Sequence, residues 1–182
     1  MLITSDRVRL RAIERADVPL FVAWFNDPEV TRYLSNYLPL STVEEEGWYE
    51  NMLKEPGNEH PLMIEAREGD EWTPIGDGCL FSINWRVRSA ELGIVIGDKR
   101  FWNRGFGTQA MLLLERHGFE TLNLNRIYLR VVAGNERAIR VYEKVGFKHE
   151  GCQRQASYKN GQYEDLLMMS ILRGEWKPPT PA

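Results

Sequence analysis

Cysteine, histidine and long apolar runs are what this 182-residue chain has least of. Its two cysteines, Cys79 and Cys152, lie far apart and cannot make the disulfide framework of a small secreted domain, so a reducing, cytoplasmic setting is expected. Its three histidines, His60, His117 and His149, stand at no ligand spacing to one another or to the cysteines, and no metal is expected. No apolar stretch approaches the roughly 18 residues that cross a bilayer. The opening Met1-Leu2-Ile3-Thr4-Ser5-Asp6-Arg7 lacks the apolar core of a secretory leader, so no membrane association is expected. Neither sign of charge dominates: 23 Lys and Arg face 26 Asp and Glu, a formal net charge of −3, which argues against a general nucleic-acid binder.

The chain also lacks repeats and any Gly/Ser/Pro-rich linker. One domain over residues 1–176 is expected, followed by a proline-rich tail, 177–182, with nothing to pack. With 43% hydrophobic and 27% charged residues, this is enough material for a core that needs no staple.

Strand and helix periods alternate along the chain. Val8, Leu10 and Ala12 between arginines predict a half-exposed first strand. Asp17 is placed to cap a helix carrying Leu20, Phe21, Trp24 and Phe25, and Ser41 with Glu44 predicts a capping box for a second helix. Leu62–Arg67 and Ile75–Asn84 read as antiparallel strands around a polar turn, Glu68–Pro74. A strand at Ala90–Ile96, a helix from Gly107 to Leu122, a strand at Arg126–Val132 and a helix from Asn135 to Val145 follow. Gly146 sits where a helix ends on a left-handed residue, and Asn160-Gly161 predicts a hairpin. The fold class is α+β.

The chemistry concentrates after Glu91. A strand, the loop Asn103-Arg104-Gly105-Phe106-Gly107-Thr108 and a helix make an anion cradle, because glycines let main-chain N–H groups approach and the helix N-terminus adds partial positive charge. The same glycines also suit a plain tight turn, and the residues alone leave both readings open. Gly105-Phe106-Gly107-Thr108-Gln109-Ala110 fits a dinucleotide fingerprint too. However, Gly97 to Arg104 separate it from its strand, and the next strand ends Val132-Ala133-Gly134 with no carboxylate for a ribose.

Trp102-Asn103-Arg104-Gly105-Phe106-Gly107-Thr108 resembles the pyrophosphate loop of the GNAT superfamily of N-acetyltransferases, in its branch of ribosomal-protein-alanine and polyamine acetyltransferases. Asn135-Glu136-Arg137-Ala138-Ile139 with Val141 to Phe147 is similar to that family's second motif. Asn26 to Val30 and Asn160 to Asp165 match in style. The resemblance implies acetyl-CoA as co-substrate and a single domain whose mixed, mostly antiparallel sheet is splayed between two parallel strands and flanked by helices. It implies that main-chain groups of Ile94, Val95 and Ile96 hold the pantetheine and polarise the thioester, that Asn103, Arg104, Gly105, Phe106, Gly107 and Thr108 hold the pyrophosphate, and that Asn135 bonds the pantetheine. As an N-cap, Asn135 also has an ordinary explanation.

Tyr142, two helical turns beyond Asn135, is then the expected general acid for the departing thiolate; periodicity by itself would make it a core aromatic. Glu91 is expected to orient a proton-accepting water or bind a cationic amine, or else simply to pair with Arg86 or Arg88. The strand glutamate that some relatives use is replaced by Arg130, and Trp102 stands where the superfamily prefers Gln or Arg. Trp24, Tyr33, Tyr37, Trp48, Tyr49 and Glu44-Glu45-Glu46 suit either a cation-binding acceptor wall or a core under a solvated helix face. The expected activity is transfer of acetyl to a primary amine, whether protein N-terminus, polyamine or other small amine, by direct attack. The alternative is a non-catalytic acetyl-CoA-binding module. The edge of the Asn160-Gly161 hairpin is a candidate homodimer surface.

Overall fold

A computed structural model describes residues 3–178. Eight strands form one sheet: β1 (Ile3–Thr4), β2 (Val8–Ala12), β3 (Leu62–Glu68), β4 (Glu71–Asn84), β5 (Ser89–Ile96), β6 (Arg126–Val132), β7 (Lys148–Lys159) and β8 (Gln162–Leu172), in the order β1-β2-β3-β4-β5-β6-β8-β7. Four α-helices accompany them: α1 (Val18–Phe25), α2 (Thr42–Met52), α3 (Phe106–Arg116) and α4 (Glu136–Lys144). Every neighbouring pair of strands is antiparallel except β5 and β6.

That parallel pair determines the architecture. Ser89, Ala90 and Glu91 lie opposite Arg126, Ile127 and Tyr128, and there the pairing ends. Beyond Glu91, β5 stays bonded to β4 alone, and beyond Tyr128, β6 stays bonded to β8 alone. The sheet therefore opens as a V in its middle, as expected.

Strand alternation sorts the core into two clusters. Ala90, Leu92, Ile127, Leu129 and Val131 point to one face and pack with Phe106, Ala110, Met111 and Leu114 of the α3 region. Val95 and Met63 point to the other face, toward Phe21, Trp24, Tyr49 and Met52 of α1 and α2.

Local chemistry corrects several boundaries. The turn expected over Glu68–Pro74 is only Gly69-Asp70, with Gly69 at φ +63°. Glu68 already faces Glu71, and a register shift at Ile64/Glu65 accommodates Pro74 within β4. Asp17 does not cap α1. Its carboxylate is held by Arg11 at 2.7 and 2.9 Å and accepts the Glu14 N–H at 2.8 Å, closing a single 3₁₀ turn ahead of the helix. The helix expected to run to Leu122 ends at Arg116 and continues as a π turn, His117–Thr121. At Gly118 an added Cβ would lie 2.7 Å from Ile127 Cδ1 and 3.0 Å from Leu80 Cδ1, so a side chain here would push the sheet's side chains aside. The capping box holds: Ser41 Oγ accepts the Glu44 N–H at 3.2 Å, and Glu44 accepts the Ser41 N–H at 2.8 Å. Asn160 and Gly161 make the hairpin turn at φ +51° and +81°. The expected tail lies largely outside the described residues.

Lys159, just before that turn, reaches back across the molecule. Its ammonium donates to the carbonyls of Thr31, of Leu34 at 2.7 Å and of Asn36 at 2.7 Å. Charge-assisted bonds of this kind fix a segment that has no regular structure beyond a 3₁₀ turn at Thr31–Tyr33. Because Tyr33 and Leu34 wall the central cleft, Lys159→Met is expected to cost about 1–2 kcal/mol of stability and to raise KM for acetyl-CoA severalfold with kcat nearly kept. Steady-state kinetics together with urea unfolding checks both.

Candidate active site

The V of the sheet is the mouth of a cleft of about 700 Å³. Ile94, Val95 and Ile96 line it from β5. Asn103, Gly105, Gly107 and Thr108 line it from the loop and the start of α3, and Asn135 and Tyr142 from α4. Nine of the twelve residues singled out from the sequence thus meet in one space.

The anion cradle is built by backbone geometry. Asn103 at φ +59° and Gly105 at φ +84° turn the chain into α3, whose first helical bond runs from Gln109 N–H to Gly105 O at 3.1 Å. The N–H groups of Phe106, Gly107 and Thr108 therefore have no helical acceptor. Gly107 lies beside β5, where an added Cβ would make an ordinary 3.6 Å contact with Ile96 Cγ1.

Three expected residues behave differently. The Phe106 side chain is buried in the core against Phe101, so only its main chain can serve an anion. Arg104 turns away from the cleft: its guanidinium pairs with Glu68 at 2.5 Å and stacks between the rings of Phe101 and Phe106. The charged donor expected at the loop is therefore absent from the cleft. Glu91, at the apex of the V on the face toward α1 and α2, is bonded by Arg130 Nε at 2.8 Å and Nη2 at 3.3 Å. Its partner is neither Arg86 nor Arg88, but the arginine that replaces the relatives' strand glutamate.

Positive charge at the cleft comes from residues the sequence reading passed over: Arg32, Arg137, Arg140 and Lys144. Arg137 stacks on Trp102 with Cζ 3.8 Å from the ring centroid, and the Trp102 indole N–H donates to Ile96 O at 2.7 Å. Trp102 thus anchors the free end of β5 and holds a cation at the rim. A helix with arginines at the cleft-facing positions after Asn135 was the available signal.

Asn135 caps α4, its Oδ1 accepting the Ala138 N–H at 3.3 Å, and the residue lines the cleft. Tyr142 sits beneath, almost wholly buried beside Phe147, and burial pushes its phenol up to about 12. At neutral pH it is a proton donor. Cys79, on β4, is also pushed up to about 12, by burial and then by the charge of Asp77, so it stays an unreactive thiol.

On the opposite face the aromatic wall divides. Trp24, Trp48 and Tyr49 belong to the second core cluster, Tyr33 lines the cleft, and Tyr37 is exposed. The glutamate run divides as well: Glu44 caps α2, whereas Glu45 is buried rather than solvated.

Residues 7–148 match the model of the acetyltransferase (GNAT) domain. The chain is 30% identical to the uncharacterized N-acetyltransferase p20 of Bacillus licheniformis, over 94% of this chain and 96% of that one. It is 31% identical to the spermidine N(1)-acetyltransferase of Escherichia coli K12, over 95% and 90%. The crystal structure of spermidine N-acetyltransferase from Vibrio cholerae in complex with CoA and spermine superposes with a TM-score of 0.86 at 29% identity, covering 94% of this chain and 98% of that one. The chain belongs to the GNAT family and is an N-acetyltransferase. Among the described residues no helix is long and apolar enough to cross a membrane, and no cluster of side chains is arranged to hold a metal.

Proposed function

We propose that this enzyme moves the acetyl group of acetyl-CoA to a primary amine by direct attack within a ternary complex, in a reducing, cytoplasmic setting. The observation that carries this reading is the junction of three features in one cleft: the unpaired end of β5, the unbonded N-terminal N–H groups of α3, and the Tyr142 phenol.

Acetyl-CoA lies along the V. The Phe106, Gly107 and Thr108 N–H groups take the pyrophosphate, with Asn103 and Gly105 shaping the loop and Arg137 supplying charge. The main chain of Ile94 and Val95 beside the open edge holds the pantetheine and polarises the thioester carbonyl, stabilising negative charge as it develops. Ile96 contributes less than the resemblance implies, because its carbonyl already accepts the Trp102 indole. The Asn135 amide NH₂ donates to the pantetheine.

Amine nitrogen attacks the carbonyl carbon, the C–S bond breaks, and Tyr142 protonates the leaving sulfur. Glu91, bonded by Arg130, keeps lone pairs for a water or an incoming ammonium and acts as a positioning residue. The relatives that acetylate spermidine support an aliphatic amine as acceptor.

A panel of polyamines, amino sugars and peptide N-termini, followed by thiol release and product mass, tests this. Sequential initial-rate patterns and the absence of an acetylated enzyme by intact mass are expected. Ping-pong kinetics, or acetyl-CoA binding without thiol release for any amine, would overturn it.

A further inference from the structure

The sheet face turned away from α3 carries two carboxyls that the transfer described above leaves unused. Asp77 on β4 stands in register with Val95, the residue of β5 that both lines the cleft and packs toward α1 and α2. Cross-strand partners in such a pair lie about 5 Å apart. Asp77 Oδ1 is completely buried with no hydrogen-bond partner, while the side chain as a whole keeps partial exposure.

Glu45 faces it from α2. It occupies the helix position that continues the inward stripe of Tyr49 and Met52, where periodicity asks for an apolar side chain, and it is only 5% exposed. Among the described residues, no arginine or lysine pairs with either carboxyl. A buried carboxyl oxygen with neither a cation nor a hydrogen-bond donor is costly unless a proton or a cationic guest shares the site.

We propose that Asp77, backed by Glu45, is the general base that deprotonates the attacking amine. This deepens the reading of the enzyme as a direct-transfer amine acetyltransferase and rests on it. The acceptor arrives as R–NH₃⁺ over the α1–α2 face, and one N–H proton passes to the Asp77 carboxylate. The freed lone pair forms the C–N bond, the C–S bond breaks, and sulfur takes the Tyr142 proton. The second proton lost from nitrogen restores the phenol. One proton per turnover leaves Asp77 for solvent through its exposed side, which balances the conversion of an ammonium and a thioester to an amide and a thiol.

Burial first and the like charge of Glu45 second push Asp77 up to about 7, which suits a base working near neutrality. Among the described residues this face also carries Cys79, pushed up to about 12, Glu91, engaged by Arg130, Glu65, paired with Arg9 and Arg11, Asp17, paired with Arg11, and the Tyr49 phenol of α2.

The test is the pH profile of kcat/KM for the parent, Asp77→Asn and Glu45→Gln with one active amine, alongside CoA affinity by calorimetry. The parent should show an acid limb near pH 7. Asp77→Asn should lose that limb and about 10²-fold of the rate at pH 7, with the deficit closing as pH nears the amine's own value of about 10.4 and CoA affinity unchanged. Glu45→Gln should retain the limb but move it down by about one unit, because the charge holding Asp77 up is gone. A merely structural carboxyl would not produce that displacement. A parent profile retained in Asp77→Asn overturns the proposal, as does a loss equal at every pH accompanied by lost CoA binding, or an unmoved limb in Glu45→Gln. If the parent itself acetylates no amine, the transferase reading falls first and the base falls with it.

Discussion

Tyr142→Phe is expected to lower kcat by about 100-fold while leaving acetyl-CoA affinity nearly unchanged. The ring is what the fold uses. It fills the space under α4 beside Phe147, and phenylalanine fills the same space, so the cleft and its loop keep their shape. The hydroxyl is what the proposed mechanism uses. Coenzyme A leaves as a thiolate, and a phenol pushed up to about 12 by burial keeps its proton throughout the working pH range, available in the transition state alone. An interaction made only there lowers kcat and kcat/KM together. A variant with unchanged turnover would remove Tyr142 from the chemistry, and a variant with weakened CoA binding would make it a packing residue. Replacing Asn135 should show the opposite signature, because the proposed mechanism uses it to bind the cofactor in the ground state: a raised KM for acetyl-CoA with a smaller change in kcat.

Glu115→Gln is expected to stabilise the protein by roughly 4 kcal/mol at pH 7.5 and by nothing below about pH 4.5. Glu115 lies in α3 with no exposed surface, and neither carboxyl oxygen has a hydrogen-bond partner. Burial pushes the group up to about 8, partly offset by the nearby Trp176 indole, which forms no hydrogen bond to it. In the unfolded chain the carboxyl ionises near its ordinary value of 4.5. Below that pH both states hold the proton and the group is neutral to stability. As pH rises from 4.5 to 8 the unfolded state ionises while the folded state cannot, so stability falls. Above 8 both are charged and the loss levels off. Chemical denaturation of parent and variant between pH 4 and 9 checks the sign, since the variant should lose the parent's downward slope. An equal slope in both proteins would place the pH dependence elsewhere. The residue is remote from the cleft, so turnover per folded molecule should not change.

Much of the fold could be read in advance because its signals are local. The Ser41–Glu44 box, the Asn160-Gly161 turn, Gly146 at φ +106° and the alternation in β2, β5 and β6 each depend on residues within a few positions. The glycine loop and the Asn135–Tyr142 spacing placed the cleft for the same reason: an anion cradle and an inward-facing helix residue are properties of short segments. The misplaced boundaries were those set at a distance. Arg11 takes Asp17 out of its capping role, a register shift between β3 and β4 lengthens β4 through Pro74, and α3 gives way to a π turn at His117, where Gly118 lies against Ile127 and Leu80 of the sheet.

Sequence by itself determined the family, the cradle and the likeness of Tyr142 to an acid, since each is written in contiguous residues. Only the tertiary structure decided which charges remain available. Arg104 faces the glycine loop in sequence but is taken by Glu68, and Glu91 is taken by Arg130 from the far arm of the V. Asp77 and Glu45, 32 positions apart, are each left without a salt-bridge partner among the described residues. Whether a charged side chain is paired depends on what the fold brings to within a few ångströms, and a linear pattern carries no such distance.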